Sequence, residues 1–161
     1  MKFLHSYGVK QMSLIIREAT FDDLDSIYLL NKNEMGYDYL PEKTAFNLRK
    51  ILSSQSNKIF VAETDGKVVG YVHASDYDLL YFPRMKNIMG IAVNREYRRE
   101  GVGRALINEI EKWASVTGAS SIRIASGIER KEAHDFYRSC GYIENKIQQK
   151  FIKNIKELES I

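Results

Sequence analysis

Four arginines and two glycines crowd one short stretch, Asn94-Arg95-Glu96-Tyr97-Arg98-Arg99-Glu100-Gly101-Val102-Gly103-Arg104-Ala105. An apolar run from Ile88 to Val93 precedes it, and the amphipathic series Val102, Leu106, Ile110, Trp113, Ala114 follows. This pattern predicts a strand that runs into a glycine-bearing turn, which in turn opens a helix. The start of a helix offers backbone N–H groups without intrahelical partners and carries a partial positive charge. Gly101 and Gly103 remove the side chains that would hold an anion away, while Arg95, Arg98, Arg99 and Arg104 add full charge. The chemistry expected here is phosphate binding through the backbone. A P-loop is excluded, because no Gly-Lys-Ser/Thr follows at the required spacing. The dinucleotide fingerprint also fails, since its third glycine would fall at Leu106.

The elements around the turn follow from composition and pattern. A chain of 161 residues is expected to form one domain with a proper core. A net charge of +3 is too small to argue for nucleic acid by itself. One cysteine, Cys140, excludes an intramolecular disulfide framework and fits a reducing compartment. No apolar run approaches the roughly 20 residues of a membrane span. The start Met1-Lys2-Phe3-Leu4 lacks a long apolar core, so a signal peptide is not expected and the location expected is cytoplasmic. Residues 1–11 show no clear period and are taken as an N-terminal extension, with the domain spanning 12–161.

Ser13 to Glu18 reads as a strand. Thr20 with Asp23 resembles a capping box, and Leu24, Ile27 and Tyr28 form a helical stripe. A loop with aromatic and acidic residues, Asn33 to Pro41, leads to a helix from about Thr44 to Ser53. Lys58 to Thr64 and Lys67 to Ser75 flank Asp65-Gly66, a strong hairpin signal. Asp76 to Pro83 is expected as a loop, then a strand from Lys86 to Val93 and a helix from Val102 to Thr117. Ser121 to Ala125 is a strand, Lys131 to Cys140 a helix, and Tyr142 to Asn145 with Ile147 to Ile155 a final pair of strands. The order is that of an α+β fold, a mixed sheet with a parallel crossover through the long helix.

Arg98-x-x-Gly101-x-Gly103 resembles the Gln/Arg-x-x-Gly-x-Gly/Ala signature of the GNAT superfamily of N-acetyltransferases, whose turn holds the pyrophosphate of coenzyme A. Ala133-His134-Asp135-Phe136-Tyr137-Arg138-Ser139-Cys140-Gly141-Tyr142 resembles the second motif of that family, and it falls on the expected element. By element order the resemblance spans Leu14 to Ile155, with specific residues between Ile88 and Tyr142. It implies a central mixed, largely antiparallel sheet of about seven strands flanked by about four helices, with the central parallel strands splayed. It also implies acetyl-CoA as acetyl donor, its pantetheine arm meeting Ile91, Ala92 and Val93 between the splayed strands. An N–H near Ile91 would then donate to the thioester oxygen. Arg98, Arg99, Glu100, Gly101, Val102, Gly103 and Arg104 would hold the pyrophosphate. Phe136 takes a core position beside the cofactor. Arg130 stands where the family often has asparagine and would reach a phosphate instead.

Tyr137 matches the general acid of the family, which protonates the departing thiolate. The carboxylate often found on the strand entering the turn is absent from Ile88-Met89-Gly90-Ile91, so the base is sought among His73, Asp76, Asp78 and Asp38. His73 has the ordinary pKa best suited to the task. His134 is read as a helix-surface residue, and Cys140, at a helix end beside Gly141, is set aside as an acyl carrier. The acceptor implied is a primary amine of a small molecule. Glu34, Tyr37, Asp38, Tyr39, Asp76, Tyr77, Asp78 and Tyr81 would suit a cationic one. Arg130 to Tyr137 also resembles aminoalkylphosphonate N-acetyltransferases, whose anionic amines want basic partners. Both remain open at this point. The alternatives are a protein lysine or N-terminal acetyltransferase, a non-catalytic acetyl-CoA-binding module, and a nucleic-acid binder using Arg95 to Arg104. Neither nucleic acid, membrane nor metal is expected as a partner, and homodimers are common in the family.

Overall fold

The computed structural model describes residues 13–155, which divide into two compact units between Ala125 and Ser126. In the first, Leu14–Glu18 forms β1, paired antiparallel to Asn57–Thr64 (β2). Arg17 of β1 reaches forward to Asp23, with both oxygens of the carboxylate accepting at 2.8 Å. Asp23 also accepts from the Thr20 N–H at 2.8 Å, and its own N–H donates back to the Thr20 carbonyl at 3.1 Å. That reciprocal pair fixes the helix start expected from Thr20 and Asp23. Helix α1, Leu24–Leu30, widens into a π-helical turn at Asn31–Met35 and stops at Gly36, whose φ of 77° is left-handed. Helix α2 spans Pro41–Leu52, starting before the expected Thr44 because proline already holds the φ of a first helical residue.

Asp65 and Gly66 turn β2 into Lys67–Leu79 (β3) with φ of 49° and 76°, the left-handed pair that a tight hairpin requires. β3 runs on through the stretch expected as a loop and returns as Phe82–Val93 (β4). The two carboxylates that suggested a loop have cross-strand partners: Asp76 is ion-paired to Lys86, and Asp78 to Arg84 at 2.7 Å. Such pairs let charged residues sit in a strand. Helix α3, Val102–Val116, carries the chain across to Ser121–Ile124 (β5), parallel to β4.

The sheet order is β1-β2-β3-β4-β5. Ile27, Leu30 and Leu48 of α1 and α2 pack with Ile59, Val61, Tyr71 and Ala92 on one face. On the other, Val102, Leu106, Ile107 and Ile110 of α3 are fully buried. Each such burial contributes about 1.5–3 kcal/mol. Gly70 admits α3 closely, since a Cβ there would lie 3.3 Å from Leu106.

The second unit contains α4, Lys131–Ser139, closed by Gly141 at φ 90° and by the Tyr142 N–H donating to the Tyr137 carbonyl at 3.0 Å. The strands expected at Tyr142 to Asn145 and Ile147 to Ile155 are not formed, so the described residues hold five strands rather than about seven. A β-rich pattern becomes a strand only where a neighbour completes its ladder. Among the described residues of this unit, α4 is the one regular element, and Ile143, Ile147, Phe151 and Ile155 stay exposed. The expected extension, residues 1–11, lies outside the described residues.

Candidate active site

β4 departs from regular pairing where the apolar run meets its glycine. Gly90 stands opposite His73 and Ile88 opposite Ala74, which leaves Met89 as an extra residue, a β-bulge. On its other side β4 pairs with β5 only from Met85 to Ile88. The parallel ladder therefore stops at the bulge, and no described strand pairs with that edge from Met89 to Val93. The Asn94 N–H donates to the Val69 carbonyl of β3 at 2.8 Å. Backbone groups alternate along a strand, so those of Ala92 also face β3, whereas those of Ile91 and Val93 face the open edge. Ala92 is 5% exposed and belongs to the core, so the N–H and carbonyl of Ile91 and the N–H of Val93 are the groups that face the open edge.

The open edge ends at the basic turn. A 3₁₀ turn over Arg95–Tyr97 is capped by Asn94, whose Oδ1 accepts from the Glu96 N–H at 3.0 Å. Arg99 then takes a φ of 62° and Gly101 one of 83°. Gly101 is the N-cap of α3, and no side chain caps that start. A Cβ on Gly101 would meet nothing within 4 Å, so the space over the helix start is open. An extended chain carrying amides and ending in phosphates fits this succession: strand-edge groups for the amides, then a helix start for the phosphates.

Arg98 does not point freely into that space. Its Nη2 is 2.8 Å from Glu34 Oε2, and its Nε donates to the Val93 carbonyl at 3.2 Å. Glu34 also takes the Arg95 guanidinium at 3.5 Å, and its side chain is only 6% exposed. Glu34, grouped from sequence with the acidic loop residues, is thus the buried anchor of the basic turn. Its position in a π-helical turn gave no periodic signal that could have shown this.

On the face of the sheet covered by α1, Tyr71, His73, Ser75 and Tyr77 follow one another at period two along β3. The Tyr71 hydroxyl donates to Asn31 Oδ1, and its pKa is pushed up to about 12 by burial. Gly90 lies beneath, where a Cβ would be 3.5 Å from Met35 Cε and 3.7 Å from the Tyr71 hydroxyl. His73 Nε2 donates to Asn57 Oδ1 at 2.8 Å, and burial lowers its pKa to about 4. Further along, Arg123 of β5 donates from Nη1 to Asn87 Oδ1 at 2.7 Å and lies 4.6 Å from the Tyr77 ring centroid.

The carboxylates weighed as bases are each engaged. Asp38 accepts from the Tyr28 hydroxyl at 2.6 Å, which with nearby Lys32 holds its pKa down. The Arg84 guanidinium holds Asp78 down likewise. Asp76 pairs with Lys86, whose side chain is 1% exposed and whose Nζ lies 3.6 Å from the Trp113 ring centroid, under α3. A strand lysine so deeply buried had no signature in the sequence.

In the second unit Tyr137 follows Phe136 on α4, with ring centroids 5.5 Å apart, and burial raises its pKa, against the opposing pull of Arg130. The phenol therefore stays protonated at neutral pH. Arg130 is the N-cap of α4, and its N–H donates to the Gly127 carbonyl at 3.0 Å. A depression of about 280 Å³, lined by Asn47, Lys50, Ile51, Ser54 and Asn57, lies beside α2 and away from the basic turn. Among the described residues no group of three or more His, Cys, Asp or Glu could hold a metal, and no helix is long and apolar enough to cross a membrane.

The model of the acetyltransferase (GNAT) family matches residues 19–142. An uncharacterized N-acetyltransferase of Methanocaldococcus jannaschii is 29% identical over 151 residues, covering 89% of this chain and 66% of its own length. The chain thus spans just under two thirds of that relative. An aminoalkylphosphonate N-acetyltransferase of Salmonella typhimurium is 29% identical over 132 residues, 79% of this chain and 83% of its own. Among solved structures, an aminoglycoside N-acetyltransferase AAC(6')-Iy in complex with CoA superposes with a TM-score of 0.82 at 19% identity, covering 91% of this chain and 99% of that one. At that identity the likeness is one of fold.

Proposed function

This chain belongs to the acetyltransferase (GNAT) family, and on that premise we propose that it transfers the acetyl group of acetyl-CoA to a primary amine of a small molecule by direct attack. The observation that carries the proposal is the open edge of β4 leading into an uncapped, glycine-started helix. When bound, acetyl-CoA supplies an activated thioester. Ile91 and Val93 pair with the pantetheine arm, and β4 and β5 splay past Ile88 and Ile124 to admit it. The Ile91 N–H donates to the thioester oxygen as negative charge develops there. Val102, Gly103 and Arg104 present their N–H groups to the pyrophosphate, with Arg99, Glu100 and Gly101 shaping the turn and Arg98 holding it. Arg130 and Phe136 are assigned to the cofactor from the second unit by their place in the motif.

Tyr137 is assigned as general acid. A thiol of pKa about 8.5 leaves more readily when a proton arrives as its bond breaks, and a phenol kept protonated by burial can supply it. His73 is assigned as the base that receives the proton of the amine, since its Nδ1 carries the lone pair when Nε2 donates to Asn57. Unlike the carboxylates considered, it has no ionic partner. Residues 12–161 serve as the catalytic domain, acting in the cytoplasm without nucleic acid or membrane as a partner.

Calorimetric titration with acetyl-CoA, followed by a thiol-release screen of amines, tests the reading. Micromolar binding that Gly101→Val abolishes, and turnover that Tyr137→Phe lowers about 100-fold or more, are expected. Binding without turnover of any amine would favour the non-catalytic module. Turnover by Tyr137→Phe unchanged at every pH would remove the tyrosine from the mechanism.

A further inference from the structure

Among the described residues, Arg123 is a half-buried cation with no carboxylate partner. The guanidinium carries five donors; one goes to Asn87 Oδ1, and the Tyr77 ring covers the planar face. Both neighbours are neutral. The acidic residues considered for a cationic acceptor are paired with other cations: Glu34 with Arg95 and Arg98, Asp38 with Lys32, Asp76 with Lys86 and Asp78 with Arg84. The positive charge of Arg123 is therefore left uncompensated on this face of the sheet.

The register places that charge at the root of the open edge. Arg123 stands beside Asn87, and Asn87 lies opposite Ser75, on the same face as Gly90 opposite His73. One residue past Asn87 and Arg123 the ladder between β4 and β5 ends. From Asn87 to Ile91 there are three regular steps and one bulge, a span of about 10 Å at 3.3 Å per step. The acidic loops, by contrast, offer no free carboxylate to a cationic amine. The Tyr77 ring, which could otherwise attract such a cation, is already covered by Arg123.

We propose that Arg123 receives an oxyanion of the acceptor, so that the substrate is a primary amine bearing a carboxylate, phosphonate or phosphate within about 10 Å of its nitrogen. This rests on the acetyltransferase reading above and narrows its substrate class. Asn87 and Tyr77 hold the fork in place, and the remaining N–H groups donate to two oxygens of the oxyanion, the geometry in which arginine outperforms lysine.

The test compares kcat/KM for ω-amino carboxylates and ω-aminoalkylphosphonates with that for α,ω-diamines of matched length and for butylamine. Wild-type protein should prefer the anionic series at least tenfold, and the carboxylate and phosphonate arms show which oxyanion fits better. Arg123→Gln should lose about 10- to 100-fold on the anionic series, mostly in KM, as expected for a charge-assisted hydrogen bond. Butylamine turnover and KM for acetyl-CoA should not change, and Arg123→Lys should lose less. Preference for diamines, or equal loss on all amines, would overturn the proposal while leaving the acetyltransferase reading intact. A loss confined to KM for acetyl-CoA would reassign Arg123 to the cofactor. Failure of wild-type protein to bind acetyl-CoA would overturn both.

Discussion

Glu34 and Arg98, 64 residues apart in the chain, meet at 2.8 Å beneath the basic turn. Through this contact and the bond from Arg98 to the Val93 carbonyl, the turn is tied both to the end of α1 and to the end of β4. These two contacts make Arg98 a strut of the turn. Replacing it with lysine keeps the charge but loses the fork. Arg98→Lys is therefore expected to weaken acetyl-CoA binding about fivefold or more by calorimetry, close to the effect of Arg98→Ala. Affinity retained in the lysine variant would mean that charge alone matters there.

The two glycines of the turn should respond in opposite ways to alanine. Gly101 has a left-handed φ of 83°, which costs an alanine about 1–2 kcal/mol whatever the free space. Gly103 lies in the first turn of α3, where alanine is the better helix former by up to about 1 kcal/mol. Gly101→Ala should lower the urea midpoint and Gly103→Ala should raise it or leave it unchanged. Both should weaken acetyl-CoA binding, because each adds a methyl where the proposed site receives the phosphates. Parallel stability changes would contradict the backbone argument.

Lys86 is held between Asp76 and the Trp113 ring with its side chain buried. Removing its carboxylate leaves an uncompensated ammonium, so Asp76→Ala should cost about 3–5 kcal/mol in urea unfolding. Lys86→Met should cost less, since Asp76 can rehydrate and the thioether can pack on the indole. The double variant Asp76→Leu with Lys86→Met should recover most of the loss. A double variant as unstable as Asp76→Ala would show that the site needs its ion pair.

His73 predicts an acid-sensitive fold. Its folded pKa, about 4, lies below the ordinary 6.5, so the unfolded chain binds the extra proton between those values. The stabilising contribution is present in full above pH 6.5 and is lost as pH falls towards 4, about 3 kcal/mol in all. Urea unfolding from pH 7 to pH 4 should show this decline, and His73→Gln should flatten it. If His73 is also the base, the acid limb of kcat/KM in the wild type should fall near pH 4 rather than near 6.5.

Much of the scaffold was legible because its signals are local. Thr20 with Asp23, Asp65-Gly66 and Arg98 to Gly103 each specify backbone angles or caps within a few residues, and the elements they start appear where expected. What depends on long-range partners was not legible. Asp76 and Asp78 resembled loop residues because their cations stand on the opposite strand. Met89 gave no sign of a bulge beyond the glycine beside it, although a glycine inside a strand can mark one. Glu34 appeared to face a substrate, when two arginines more than sixty positions away had already claimed it. The stretch from Tyr142 to Ile155, expected as two strands, finds no ladder partner among the described residues, and its apolar residues Ile143, Ile147, Phe151 and Ile155 recur every four positions rather than alternating.

The order of the strands has a kinetic consequence. β2, β3 and β4 are joined by tight hairpins and can zip up in sequence, each closing a short loop. β5 must wait until α3 has formed and crossed the sheet, and its ladder with β4 covers only Met85 to Ile88. The strand that flanks the open edge is thus the last to dock and the least extensively held. In hydrogen exchange its amides should open before those of the meander, and a ligand seated along β4 would slow that opening first. The edge proposed to take the cofactor is then also the part of the sheet expected to close last.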